Sequence, residues 1–228
     1  MSDQSRRAQK KALTRAHVRE TAQRLFADRG FDAVTIADVA AAADVAVQTV
    51  FNHFTTKEEL YWADRTPWVD GPAAAVRERH AGVPALTALR AHLVASVGHY
   101  VERLADPTGR CTVTDLDRSP ALQASERELH HTAEARLREA LVEAWTGPCP
   151  EHPVPADPRT TAAVVAATWL AVSRILVTQP RSPMPAPEQA AEVAAATRAL
   201  AERLLSGYEA GLVSSATADE SARALRAV

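Results

Sequence analysis

Gln48, Thr49, Asn52 and His53 place four hydrogen-bonding side chains within six residues, at spacings that lie on one helical surface. Each can donate and accept, which suits the pattern that base pairs show in the major groove of DNA, and Val47 beside them can meet a thymine methyl. Lys57 adds a positive charge at a helix start, where backbone N–H groups also attract phosphate. The chemistry this cluster points to is recognition of double-stranded DNA. That chemistry needs a helix held clear of the body and narrow enough to enter a groove about 12 Å wide.

The flanking residues predict such a helix. Leu13, Val18, Ala22, Leu25 and Phe26 recur at helical spacing up to about Arg29, and Gly30 suits the left-handed position that ends a helix. Thr35 and Asp38 form a capping-box-like start for a second helix whose apolar face is Ile36, Val39, Ala40 and Ala43. The turn Asp44-Val45-Ala46 leads into a third helix with Val47, Val50, Phe51 and Phe54 as its apolar residues. Thr56, with Glu59 three residues on, caps a fourth helix, and Pro67 stops it near Thr66.

Farther along, Leu86, Leu89, Leu93, Val97, Tyr100 and Leu104 mark a long fifth helix over 84–105, closed by Asp106-Pro107-Thr108-Gly109. Residues 119–146 form another. The proline-rich stretches 147–158 and 180–187 read as loops around a helix over 159–179, which is apolar almost all round. A last helix runs to about Tyr208, with a fraying tail after Gly211. The composition agrees: 46% of residues are apolar, alanine dominates that set, and only 5% are aromatic, which favours an all-α protein.

The run from Thr35-Ile36-Ala37-Asp38-Val39-Ala40 through Gln48-Thr49-Val50-Phe51-Asn52-His53-Phe54 to Lys57-Glu58-Glu59-Leu60 resembles the DNA-binding signature of the TetR family, and the likeness covers about residues 14–60. The resemblance implies an N-terminal three-helix, helix-turn-helix DNA-binding domain over 1–58. A larger helical domain over 59–210 would bind ligand and dimerise, and 211–228 would be a tail. It assigns Thr35, Thr49, Phe51 and Lys57 chiefly to phosphates or framework and puts Ala46 at the cap of the reading helix. With Val47, Gln48, Asn52 and His53, these make up the candidate DNA-binding set. It further implies a cytoplasmic homodimeric repressor that reads a near-palindromic operator and is released by a small-molecule effector, with no catalytic residues and no cofactor. Three positions depart from the usual pattern: Asp44 for Gly in the turn, Ala46 for a capping Ser or Thr, and Phe51 for Tyr. Together they predict weaker phosphate anchoring.

Charge and apolarity divide along the chain in the same way. Residues 1–30 hold eight lysines and arginines against three acids, a local charge of +5, which leaves −7 for the rest of a chain of net −2. The segments 159–179 and 188–208 are the most apolar, so pairing them with a symmetry mate would give an intermolecular four-helix bundle. Trp62, Trp68, Tyr100, Trp145 and Trp169 are candidates to line an effector pocket, and each can equally be core packing. His92, Ser96, His99 and Arg103 form one stripe of the fifth helix, either solvated or a polar wall.

A membrane span is not expected. The longest apolar stretch, Ala162 to Val172 with Thr168 inside it, falls short of ~18 residues, and the basic, polar N-terminus is no secretion signal. His130, His131 and Glu134 are too few and too exposed in pattern for a metal site, and Cys111 and Cys149 read as free thiols. The alternative readings are a helical enzyme or a protein-partner module in which the helix-turn-helix is only structural. No glycine-rich phosphate loop or nucleophile motif supports the enzyme.

Overall fold

A computed structural model describes residues 3–148 and 154–226. Cys149, Pro150 and Pro153 lie outside the described residues. The described chain is helical throughout, with ten α-helices and three 3₁₀ turns and no strand. It divides into two compact units, one of Met1–Thr66 with Thr108–Glu126, the other of Pro67–Pro107 with Arg127–Val228.

The first unit contains α1 (Asp3–Arg29), α2 (Ile36–Ala42), α3 (Val47–Phe51) and α4 (Lys57–Trp62). It also holds most of α7 (Pro107–Arg118) and the first turns of α8 (Pro120–Thr146). Gly30 ends α1 with φ +79°, as its position predicts, and its N–H donates to the Phe26 carbonyl at 2.9 Å. The core is aromatic. Phe26, Phe31 and Tyr61 meet with ring centroids 5.2–5.5 Å apart, and Trp62 stands edge-on to Tyr61 at 5.3 Å.

Residues 106–109 do not form the loop expected there. Pro107 instead opens α7, where its missing N–H costs nothing and its φ is already helical. The polar sequence of α7 hides a narrow buried stripe of Gly109, Val113 and Leu116. Polar contacts secure it. Asp115 accepts the Phe31 N–H at 3.2 Å, the Tyr61 hydroxyl donates to the Thr112 carbonyl at 3.3 Å, and Ser119 donates to Asp32 at 2.9 Å. The N-terminal unit is therefore larger than the 1–58 segment and includes residues from the middle of the chain.

The second unit contains α5 (Pro67–Arg77), α6 (Ala85–Glu102), the rest of α8, α9 (Pro158–Thr178) and α10 (Ala190–Arg226). Pro67 does more than stop the fourth helix. α4 already ends at Trp62, Asp64 takes φ +59°, and Pro67 starts a new helix. The core joins Leu89, Leu137, Leu141, Trp145, Val165, Trp169 and Leu205, all at most 4% exposed. Arg90 of α6 pairs with Glu202 and, at 2.6 Å, with Glu209 of α10, and Arg198 pairs with Glu102 at 2.7 Å.

The expected tail after Gly211 is helical, because α10 runs unbroken to Arg226. Leu212 and Ala216 continue the inward face of Leu205, and their packing outweighs the ~1 kcal/mol that each of Gly207 and Gly211 costs a helix. The segment Pro158–Arg181 is long and apolar enough to cross a membrane by length and composition, contrary to the expectation from its longest unbroken run, and only 28% of its most apolar window is buried within the chain. The difference arises because the helix stays apolar on either side of the threonines and of Arg174, which interrupt the run without making the segment polar.

Candidate nucleic-acid interface

The helix-turn-helix is built by complementary caps. Thr35 accepts the Asp38 N–H at 3.1 Å while the Asp38 carboxylate accepts the Thr35 N–H at 2.8 Å and its hydroxyl at 2.6 Å. Those bonds, the hydroxyl's first, hold Asp38 below the ordinary carboxylate range. Thr35 thus acts on the framework of α2. At the other end of α2 the Val45 N–H donates to the Ala40 carbonyl at 3.0 Å and the Asp44 N–H to Ala41 at 3.3 Å, with Asp44 at φ +51°. This is a Schellman closure with an aspartate in the left-handed position. Asp44→Gly is therefore expected to raise stability by roughly 0.5–1 kcal/mol, seen as a melting temperature higher by about 2 °C. A lower melting temperature would show that Asp44 makes a contribution that outweighs its strain.

Ala46 caps α3 without a side-chain bond. The helix buries Val50 and, just beyond its end, Phe54, while Val47 and Phe51 are 42% and 45% exposed and Gln48 and Asn52 lie open beside them. The Gln48 amide donates to Asn52 Oδ1 at 3.2 Å, so the two are already oriented on one face. Thr49 and His53 flank that face half-buried. His53 Nδ1 is buried without a partner, and burial, helped by Lys11 and Arg15, pushes the ring below the usual histidine range. Its ring is neutral at pH 7.

Lys57 is drawn inward. Its ammonium lies 4.0 Å from the Phe31 ring centroid, and burial lowers its pKa from the ordinary lysine value against the pull of Asp32, Glu58 and Asp115. The Thr56 cap accepts the Glu59 N–H at 3.0 Å, and Glu59 in return accepts the Thr55 N–H at 2.7 Å.

Two residues that spacing does not reveal hold the unit together. His17 Nε2 lies 3.2 Å from the Ala43 carbonyl at the end of α2. Arg15 donates to the His53 carbonyl at the end of α3, stacks 4.0 Å over Phe54 and lies 3.8 Å from Glu59. From two positions on α1 these side chains grip the carbonyl ends of both helices of the motif, where helix dipoles favour a donor. In the sequence Arg15 registers only as one charge among eight, because its partners lie some forty residues away.

Residues 18–63 match the family model of bacterial regulatory proteins of the TetR family. A stretch of 64 residues is 34% identical to MftR of Mycobacterium tuberculosis, the protein assigned as transcriptional regulator of mycofactocin biosynthesis. The likeness to TetR-family regulators at the level of sequence lies in this N-terminal segment, which holds the helix-turn-helix. The match takes in 28% of this chain and 32% of MftR, so it spans about a third of that relative's length. The fold similarity extends further. Two structures of NalD, the secondary repressor of the MexAB-OprM multidrug efflux pump in Pseudomonas aeruginosa, superpose with TM-scores of 0.50 and 0.52 at 19% identity. They cover 83% and 82% of this chain and 95% of NalD in each case. This likeness is one of fold, and at that coverage it takes in parts of both units.

The five aromatic candidates for an effector pocket are dispersed. Trp62 belongs to the first unit, buried, with its Nε1 unpartnered. Trp145 and Trp169 are core residues of the second unit, and Trp145 borders a space of about 30 Å³ beside Leu86 and Leu212. The rings of Trp68 and His130 meet 4.5 Å apart at a 40° tilt, and Tyr100 accepts a bond from Arg181 at 2.8 Å. His92 of the polar stripe packs near Gly71, with Nε2 3.3 Å from Ser96 Oγ, and burial lowers its pKa from the usual histidine value. His99 and Arg103 are exposed. Among the described residues no group of three or more His, Cys, Asp or Glu could hold a metal, and Cys111 is free and exposed.

Proposed function

We propose that this protein is a dimeric, operator-binding repressor whose base-reading surface is Val47, Gln48, Phe51 and Asn52, and whose affinity for DNA falls when a small molecule binds the second unit. The observation that carries the reading is the exposed face of α3. A short helix anchored by Val50 and Phe54 and clamped by Arg15 presents two oriented amides between two apolar groups, the complement of an adenine edge next to thymine methyls. Thr49 and His53 stand at the margin of that surface and serve phosphate or framework contacts, while Thr35, Ala46 and Lys57 hold the motif's shape. The exposed cations Arg6, Lys10 and Lys11 on α1 supply sequence-independent attraction to phosphate.

Dimerisation is supported by where apolar surface remains. Val164 and Ile175 on α9 and Leu200, Leu204, Tyr208 and Val213 on α10 are 38–55% exposed. On α10 Leu200, Leu204 and Tyr208 recur every four positions and Val213 follows five further on, with charged Glu202 and Arg203 interleaved. A second copy, not a bilayer, suits such a one-sided stripe.

Fluorescence anisotropy with DNA from the protein's own upstream region, across a salt series, tests the reading. Selective, salt-dependent binding is expected, with Gln48→Ala and Asn52→Ala each weakening it about tenfold or more, equivalent to ~1–3 kcal/mol per base contact. Binding that ignores both sequence and substitutions would leave the motif a structural hairpin.

A further inference from the structure

We infer that the cleft between α8 and α9 binds a small monocarboxylate with a short apolar body, its carboxylate held by Arg127 and Arg174. The cleft has a volume of about 170 Å³, below the range of drug-sized pockets, so its ligand is small. Its walls are two helical ridges with the same spacing, Arg127, His130, His131 and Glu134 on α8 facing Ala167, Leu170, Ala171 and Arg174 on α9. Later residues of α8, from Leu137 to Trp145, share a core with earlier residues of α9, from Ala162 to Trp169. The helices therefore run in opposite senses, and both arginines fall at one end of the cleft while Glu134 falls at the other.

Neither guanidinium forms an ion pair with any described residue, and neither does Glu134. Two such forks converging on one concavity match a carboxylate, which accepts bidentate bonds from arginine. Leu170, Ala167 and Ala171 offer the apolar floor for the remainder of the molecule. One wall is preset, because the ring of His130 packs at a 40° tilt, 4.5 Å from that of Trp68 at the start of α5. The inference rests on the regulator reading only in taking this molecule as the effector.

Calorimetric titration of the full-length protein with benzoate and with hexanoate, against benzamide as the uncharged isostere of the first, tests it. At least one carboxylate is expected to bind once per chain, with benzamide about tenfold weaker or worse for the aromatic pair. Arg127→Gln and Arg174→Gln should each weaken the carboxylate about tenfold and leave the melting temperature of the free protein unchanged, since neither side chain is paired. No binding of either carboxylate at millimolar concentration, equal affinity for benzamide, or affinity untouched by both substitutions overturns the inference. Operator binding is read on the same samples. If operator is bound while neither carboxylate binds, this inference alone fails; if operator is not bound, the regulator reading fails whatever the carboxylates do.

Discussion

Replacing Leu200 and Leu204 with glutamate is expected to leave the subunit folded but monomeric, and to reduce operator affinity to near the non-specific level, a loss on the order of 10³-fold or more. The two residues are 38% and 40% exposed and lie one helical turn apart, with Tyr208 one turn further on. The neighbouring positions Thr197, Ala201 and Leu205 face inward, so the substitutions leave the subunit core untouched. Burying the remaining apolar area of these side chains contributes about 1 kcal/mol each per subunit at an interface. Glutamates there would forfeit that gain and oppose two like charges across a symmetry axis, with a desolvation cost of several kcal/mol. Sedimentation equilibrium gives the oligomeric state, and anisotropy with full and half operators gives the consequence for DNA. A double variant that still sediments as a dimer would put the interface elsewhere and leave the stripe on α10 unexplained.

The second large effect concerns the aromatic core. Phe26→Ala is expected to cost ~3–5 kcal/mol, enough to unfold the N-terminal unit at ambient temperature and abolish DNA binding. Phe26 is 1% exposed and touches both Phe31 and Tyr61, whose own hydroxyl is tied to α7 and whose pKa is raised by burial. No neighbouring helix can close the cavity without breaking those contacts. Phe51→Ala provides the contrast. At 45% exposure its loss should change stability by less than about 0.5 kcal/mol while weakening operator binding, because the ring faces outward from the reading helix. Near-ultraviolet circular dichroism and urea unfolding separate the two cases. Equal destabilisation by both substitutions would mean that Phe51 is packed in solution and does not belong to the reading surface.

Much of this arrangement is legible from residue types and spacing alone. Thr35 with Asp38, Thr56 with Glu59, and Gly30 after Arg29 are local devices whose partners lie within four residues, so the caps and the helix-turn-helix follow from sequence order. Val47, Gln48 and Asn52 are likewise predictable as neighbours on one surface, and the apolar character of α9 and α10 marks them for burial. What spacing could not disclose is which of two apolar faces a chain neighbour covers. Phe51 and Phe54 look alike in the sequence, yet only Phe54 lies beneath Arg15 in the core. The recruitment of α7, the split between α4 and α5, the clamps at Arg15 and His17 and the paired arginines of the α8–α9 cleft all depend on residues distant along the chain. Periodicity records the angle at which a side chain leaves its own helix, whereas these contacts depend on where another helix packs, and only the tertiary structure decides that.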